Sequence, residues 1–299
     1  MTERDWIARY IRPLVTAPGA ADLCDDVALL SASARPTIAT MDTLVEARHF
    51  LLSDPISTVG QKLIRVNVSD CLAKGAVPHE ALLSVSWPLG RRERDFAELM
   101  QGIGEDLKTF GVSLLGGDFV SVDGPLSLTL TLTGTCLRDA PVRRSGGHMG
   151  DRIWLSGEIG WGHVGLQAAQ AGGDEQVANR YRVPKLPDLS AATMVAERAT
   201  ASLDVSDGLL IDAWRLANES GCGALIDLSR VPLARSGADL QAILAQCTAG
   251  DDYQILLSAP ASVDMEGFSC IGKLIEKPGL ALTYQGQDVN VPAILGFEH

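Results

Sequence analysis

Aspartates recur in this chain where a predicted element begins or ends. Asp25 and Asp26 precede an apolar run, and Asp42 follows a predicted strand, Thr37–Met41. Asp70 closes a predicted helix. Asp118 follows Gly116-Gly117 after the predicted strand Val112–Leu115. Asp204 and Asp207 flank Val205-Ser206 at a strand-to-helix turn, and Asp251-Asp252-Tyr253 precedes another strand. Hard cations such as Mg²⁺ take oxygen ligands, usually a few carboxylates completed by the phosphates of a substrate. Each aspartate alone reads as a turn or helix-cap residue. It is their number that suggests a phosphate site assembled around magnesium.

Composition sharpens that reading. The chain has 299 residues with 25 Lys plus Arg against 37 Asp plus Glu, a formal charge of −12. Such a field disfavours nucleic acid and anionic membranes as partners, and an anionic ligand would need cations to hold it. Hydrophobic residues make up 46% and charged residues 21%, an ordinary globular balance. No apolar stretch approaches the roughly 20 residues needed to span a bilayer, and Met1–Asp22 lacks the layout of a signal peptide. The six cysteines are widely spaced with no CxxC pair, which predicts reduced thiols in a cytoplasmic protein. The chain has no GxxxxGK[ST] phosphate loop, no protein-kinase HRD or DFG set, no HExxH and no GxSxG. Gly160-Trp-Gly-His-Val-Gly165 matches GxGxxG, but no acidic residue stands about 20 positions further on, so it reads as a glycine-rich turn into a helix.

The elements that must position these side chains alternate between strand and helix. Leucines at every second position of Leu126–Thr133 predict a strand with one apolar face and one Ser/Thr face. Shorter strands are expected at Leu82–Trp87, Ile153–Ser156, Ala224–Leu228 and Gln254–Ser258. Phe96, Met100, Ile103, Leu107 and Phe110 recur at helical spacing, ended by Gly111. A helix over Ser57–Lys74 puts Val59, Leu63 and Val66 on one stripe with Asp70. A buried carboxylate there needs a partner or a metal. A third helix is expected from Ser206 to Gly221. The length predicts two domains, and the Arg/Gly/Pro-rich stretch Arg138–Asp151 marks the boundary, giving 1–137 and 138–299.

In order, Cys24–Leu30, Met41–Phe50, Val66–Asp70, Gly75–Pro78, Gly116–Asp118, Asp204–Leu209, Gly250–Tyr253 and Gly296–His299 resemble one family, the thiamine-monophosphate kinases. That family belongs to the superfamily of aminoimidazole ribonucleotide synthetase and selenophosphate synthetase. The resemblance implies an α/β (α+β) two-domain synthetase-like fold. An N-terminal mixed sheet with helices, carrying ATP and metal sites, would pair into a barrel in a homodimer, beside a C-terminal α+β domain. It implies ATP as co-substrate, thiamine monophosphate as acceptor and several Mg²⁺ ions. Asp26, Thr40, Met41, Asp42, Asp70, Asp118, Asp204 and Asp207 match metal positions, Met41 through its backbone carbonyl alone. Gly117, Asp118, Arg144 and Ser206 match ATP positions. His49, Asp251 and Phe297 match substrate positions, Asp251 standing where the family usually has Glu. Asp42, Asp70, Asp118 and Asp207 would carry the catalytic charge, with no dedicated base. The chain lacks the Cys and Lys pairing of selenophosphate synthetase and ends in His299 rather than the cysteine of the hydrogenase-maturation relative. The alternative from another class is a catalytically silent nucleotide-binding homologue with a regulatory role.

Overall fold

The computed structural model describes residues 3–23, 27–237 and 239–297. The chain divides into two compact units: Met1–Cys71 with Val77–Cys136, and Leu72–Ala76 with Leu137–His299. Both are mixed α/β.

The first unit opens with a single helical turn, α1 (Glu3–Trp6), and is built on a four-stranded sheet. Its strands are β1 (Thr37–Val45), β2 (Ala76–Pro88), β3 (Ser113–Val122) and β4 (Ser127–Cys136), in the spatial order β1-β4-β2-β3. β1 and β4 pair antiparallel, β2 and β3 parallel. Leu126, Leu128, Leu130 and Leu132 are all buried, as the alternation predicts, because successive strand residues point to opposite faces. Helices α2 (Ile56–Ala73) and α3 (Glu93–Phe110) supply the rest of the core. Val59, Leu63 and Val66 are buried on α2, and Phe96, Met100, Ile103 and Leu107 on α3. Gly111 ends α3 in the left-handed region, its N–H returning to the carbonyls of Leu107 and Lys108.

Two strand expectations need correction. β1 does not stop at Met41 but runs to Val45, so Asp42 is an interior strand residue rather than a post-strand turn. β3 likewise runs through Gly116-Gly117 instead of turning there. The physical reason at Gly117 is close approach: a Cβ would lie 1.6 Å from the Leu83 carbonyl oxygen, and φ is +153°. Only glycine lets β3 stay on β2 at this point, beside a register shift between Ala81 and Leu82.

The second unit has a seven-stranded sheet in the order β11-β10-β7-β9-β5-β8-β6. These strands are β5 (Arg152–Leu155), β6 (Ala201–Asp204), β7 (Gly223–Asp227), β8 (Ile255–Ala259), β9 (Ser269–Ile275), β10 (Gly279–Tyr284) and β11 (Gln287–Val289). β7 and β10 pair parallel; the pairings of β5, β6, β8 and β9 are antiparallel. Its helices are α4 (Trp161–Ala171), α5 (Glu175–Arg182), α6 (Ala191–Arg198), α7 (Leu209–Glu219) and α8 (Leu240–Thr248). The third expected helix therefore starts at Leu209, leaving Val205–Gly208 as a loop between β6 and α7. Ile153, Leu203, Leu210, Ile226 and Leu256 belong to one continuous core beneath that loop. The short connection Leu72–Ala76 joins this unit because Val142 and Leu137 donate backbone N–H bonds to Lys74 and Gly75, both at 3.0 Å.

Candidate active site

In the first unit, Thr40 and Asp42 lie two residues apart on β1 and so share a face. The Thr40 hydroxyl donates to Oδ2 of Asp70 near the end of α2. Burial, reinforced by the Asp70 charge, pushes the Asp42 carboxyl up to about 6. Two carboxylates in a partly desolvated place, with a hydroxyl beside them, form a hard oxygen set suited to a divalent cation. Met41 alternates to the other face and is 65% exposed, so only its backbone carbonyl is left as a candidate ligand. Asp118 sits on β3 opposite Ser84, with β4 and β2 intervening between it and β1. Thr40, Asp42 and Asp70 are thus brought together within one chain, while Asp118 is not joined to them. Among the described residues no group of three His, Cys, Asp or Glu is close enough to hold a metal by itself. Asp25 and Asp26 lie outside the described residues.

His49 closes a tight loop after β1. Its N–H bonds the Val45 carbonyl at 2.9 Å, and its Nδ1 accepts the Val45 N–H at 3.0 Å. Nδ1 is therefore the unprotonated nitrogen, and Nε2 carries the hydrogen that a substrate oxygen could accept. The loop needs a left-handed residue, Ala47 at φ +61°. It is anchored by Lys62, almost wholly buried, whose Nζ donates to the His49 carbonyl at 3.2 Å.

In the second unit, three sequence-distant segments lace together. Asp251 N–H donates to the Ser206 carbonyl, Tyr253 N–H to Val205 and Phe297 N–H to Asp207, each at 2.8 Å. The approach is so close at Gly250 that a Cβ would lie 2.2 Å from the Ser206 oxygen. Asp204, Ser206, Asp207, Asp251 and Phe297 are thereby gathered on one loop cluster at the ends of β6 and α7. Asp204 is buried at 5% exposure, whereas Phe297 is exposed. Asp251 and Tyr253 both hold positive φ, +69° and +53°, a conformation that non-glycine residues adopt at a cost and that clusters at functional sites. The Tyr253 hydroxyl donates to Asp251 Oδ1 at 2.8 Å, fixing the carboxylate. Arg144 is exposed, and among the described residues its guanidinium makes no hydrogen bond or ion pair. Glu298 and His299 lie outside the described residues.

Side chains with no signal in the residue types alone also matter here. Asp252 accepts the N–H groups of Gly160 at 2.8 Å and Gly162 at 3.0 Å. It therefore caps α4, and the GxGxxG stretch spends its N-terminal donors on this carboxylate, as a structural turn would. Burial pushes Asp252 up to about 7 against the pull of these donors. Arg215, on α7, donates from Nη1 to Oδ2 of Asp207 and to Oδ1 of Asp212, the latter at 2.9 Å. Burial raises Asp212 to about 6 although Arg215 opposes the shift. The i, i+3 spacing of Asp212 and Arg215 was readable as a helical pair; the reach of eight residues back to Asp207 was not.

Residues 24–137 match the AIR synthase related protein N-terminal domain and residues 149–284 its C-terminal domain. Thiamine-monophosphate kinase of Caulobacter vibrioides is 36% identical over 323 residues, covering 100% of this chain and 91% of that protein. The chain belongs to the thiamine-monophosphate kinase family. The crystal structure of the Aquifex aeolicus thiamine monophosphate kinase superposes with a TM-score of 0.77 at 27% identity, covering 87% of this chain and 91% of that one. AaThiL complexed with AMPPCP and TMP gives a TM-score of 0.79 at 27% identity, covering 91% of both chains. Of the segments that carry the resemblance, Asp204–Leu209, Gly250–Tyr253 and Phe297 are laced together in the second unit, and Thr40 on β1 bonds Asp70 on α2 in the first.

Proposed function

We propose that this chain transfers the γ-phosphoryl group of ATP to the phosphate of thiamine monophosphate, giving thiamine diphosphate and ADP. The observation that carries the reading is the convergence of Asp204–Gly208, Gly250–Tyr253 and Phe297 in a chain related over its full length to thiamine-monophosphate kinases. That relationship supports an enzyme over a silent homologue. No helix among the described residues is long and apolar enough to cross a membrane.

The chemistry asks little covalent work of the protein. A phosphate acceptor is already a nucleophile near neutral pH, so the difficulty lies in aligning two anions and neutralising the charge on the transferring group. We assign Gly117, Asp118, Arg144 and Ser206 to ATP, with Arg144 offering a guanidinium fork to the polyphosphate. We assign His49, Asp251 and Phe297 to thiamine monophosphate, with Nε2–H of His49 as a donor and Asp251 held by Tyr253. Thr40, Asp42, Asp70, Asp118 and Asp204, with Asp26, would hold Mg²⁺. Bound there, the ions would supply positive charge to the phosphates, which a chain of charge −12 cannot do through its own field. We assign dimerisation and most of the ATP and metal positions to 1–137, with Arg144, Asp204 and Ser206 added from the α+β domain, 138–299. Exposed Met41, Val77, Leu82 and Val120 on the strands of the first sheet support pairing of two copies through it.

The test is acceptor dependence. ADP release with ATP and Mg²⁺ should require thiamine monophosphate, and unphosphorylated thiamine should not replace it. ADP release at the same rate with thiamine would overturn the assignment of a phosphate acceptor.

A further inference from the structure

We infer that Arg215 stands as a built-in cation at Asp207, so that Asp207 positions the Asp204–Gly208 loop and does not bind a divalent ion directly. The inference rests on the proposed reading only in taking the neighbouring aspartates as a cation-binding set.

The geometry points this way from three sides. Nη1 of Arg215 reaches Oδ2 of Asp207 and, at 2.9 Å, Oδ1 of Asp212. The remaining oxygen of Asp212 accepts the backbone N–H of Asp207 at 3.2 Å. Both oxygens of Asp212 are therefore spent on the loop and its counter-ion.

Asp212 is also the reason Arg215 cannot simply step aside for a metal. Its side chain is 1% exposed, whereas Arg215 and Asp207 are 28% and 23% exposed. Releasing the guanidinium would strand a buried carboxylate without a cation, a strongly unfavourable state. Asp207 alone could exchange its partner, but Asp212 holds that partner in place. A divalent ion bound directly to Asp207 would then sit beside a fixed positive charge and meet its repulsion. The same clamp ties the backbone at Asp207, whose carbonyl accepts the Phe297 N–H at 2.8 Å, so Arg215 also steadies the segment carrying Phe297.

The experiment counts Mn²⁺ bound per chain by electron paramagnetic resonance, with the non-hydrolysable ATP analogue AMPPCP present. Asp207→Asn should bind as many Mn²⁺ as the wild type, because no ion is lost with that carboxylate. Arg215→Lys should also match the wild type, and Arg215→Met should gain one Mn²⁺ per chain. Adding Asp207→Asn to Arg215→Met should remove the extra ion. Loss of one Mn²⁺ in Asp207→Asn would overturn the inference, and so would an unchanged count in a folded Arg215→Met. If Arg215→Met does not fold, the Asp207→Asn count decides alone. A wild type that binds no Mn²⁺ but makes thiamine diphosphate would sink this inference and leave the kinase reading standing. Correct counts in an enzyme that makes no thiamine diphosphate would do the reverse.

Discussion

Replacing Tyr253 by Phe removes one hydroxyl and tests whether Asp251 works as a positioned carboxylate. The phenol donates to Asp251 Oδ1 at 2.8 Å, and both residues sit in left-handed backbone conformations that fix where the carboxylate points. Hydrogen bonds to charged groups contribute about 1.5–3 kcal/mol, and the half-buried setting lowers this to about 1–2 kcal/mol. With about 1.4 kcal/mol per tenfold, that is roughly 5–30-fold in binding. If Asp251 grips thiamine monophosphate equally in the ground and transition states, the loss appears in KM for that substrate with kcat unchanged. Steady-state kinetics with each substrate varied in turn would read it: KM for thiamine monophosphate should rise and KM for ATP should stay. An unchanged KM for thiamine monophosphate, or an equal rise for both substrates, would refute the reasoning.

Further outcomes follow from contacts at three residues. Asp252→Ala leaves the Gly160 and Gly162 N–H groups without acceptors, which costs about 2–4 kcal/mol and lowers Tm by about 4–16 °C; an unchanged thermal melt would contradict the capping role. Asp42 is held up at about 6, above its unfolded value, so in metal-free protein its stabilising contribution is full below about pH 4 and is lost as pH rises through about 6. Mg²⁺ must displace that proton, so the Mg²⁺ concentration for half-maximal rate should rise as pH falls through about 6. Asp42→Asn should abolish turnover with its melt intact, and wild-type turnover in it would remove Asp42 from the metal set. Gly117→Ala drives a Cβ to 1.6 Å from the Leu83 oxygen, and its urea midpoint should fall by the equivalent of about 2–4 kcal/mol; a wild-type midpoint would contradict the close approach.

What the sequence made legible was local. The alternation in Leu126–Thr133 and the helical spacing of Phe96 to Phe110 depend only on which face of one element is buried, and both elements form where expected. The strands β9, β10 and β11 were not anticipated; β11, Gln287–Val289, is too short to show an alternation. Asp42 and Asp118 were misplaced at strand ends because Gly116-Gly117 and an aspartate such as Asp42 favour turns, whereas tertiary pairing carries both strands onward. The aspartates themselves were visible as residue types. Their grouping was not, because Ser206 meets Asp251 and Asp207 meets Phe297 through backbone bonds across long sequence separations. At Arg215 the i, i+3 pairing with Asp212 was readable, whereas the side chain's reach back over eight residues to Asp207 was not.

The measurement that bears most directly on the central claim is a single-turnover reaction with ATP labelled at the γ-phosphorus. With Mg²⁺ and thiamine monophosphate, the label should appear in the terminal phosphate of thiamine diphosphate, one per ADP formed. Label released only as inorganic phosphate, or kept in ATP bound to a folded protein, would contradict it.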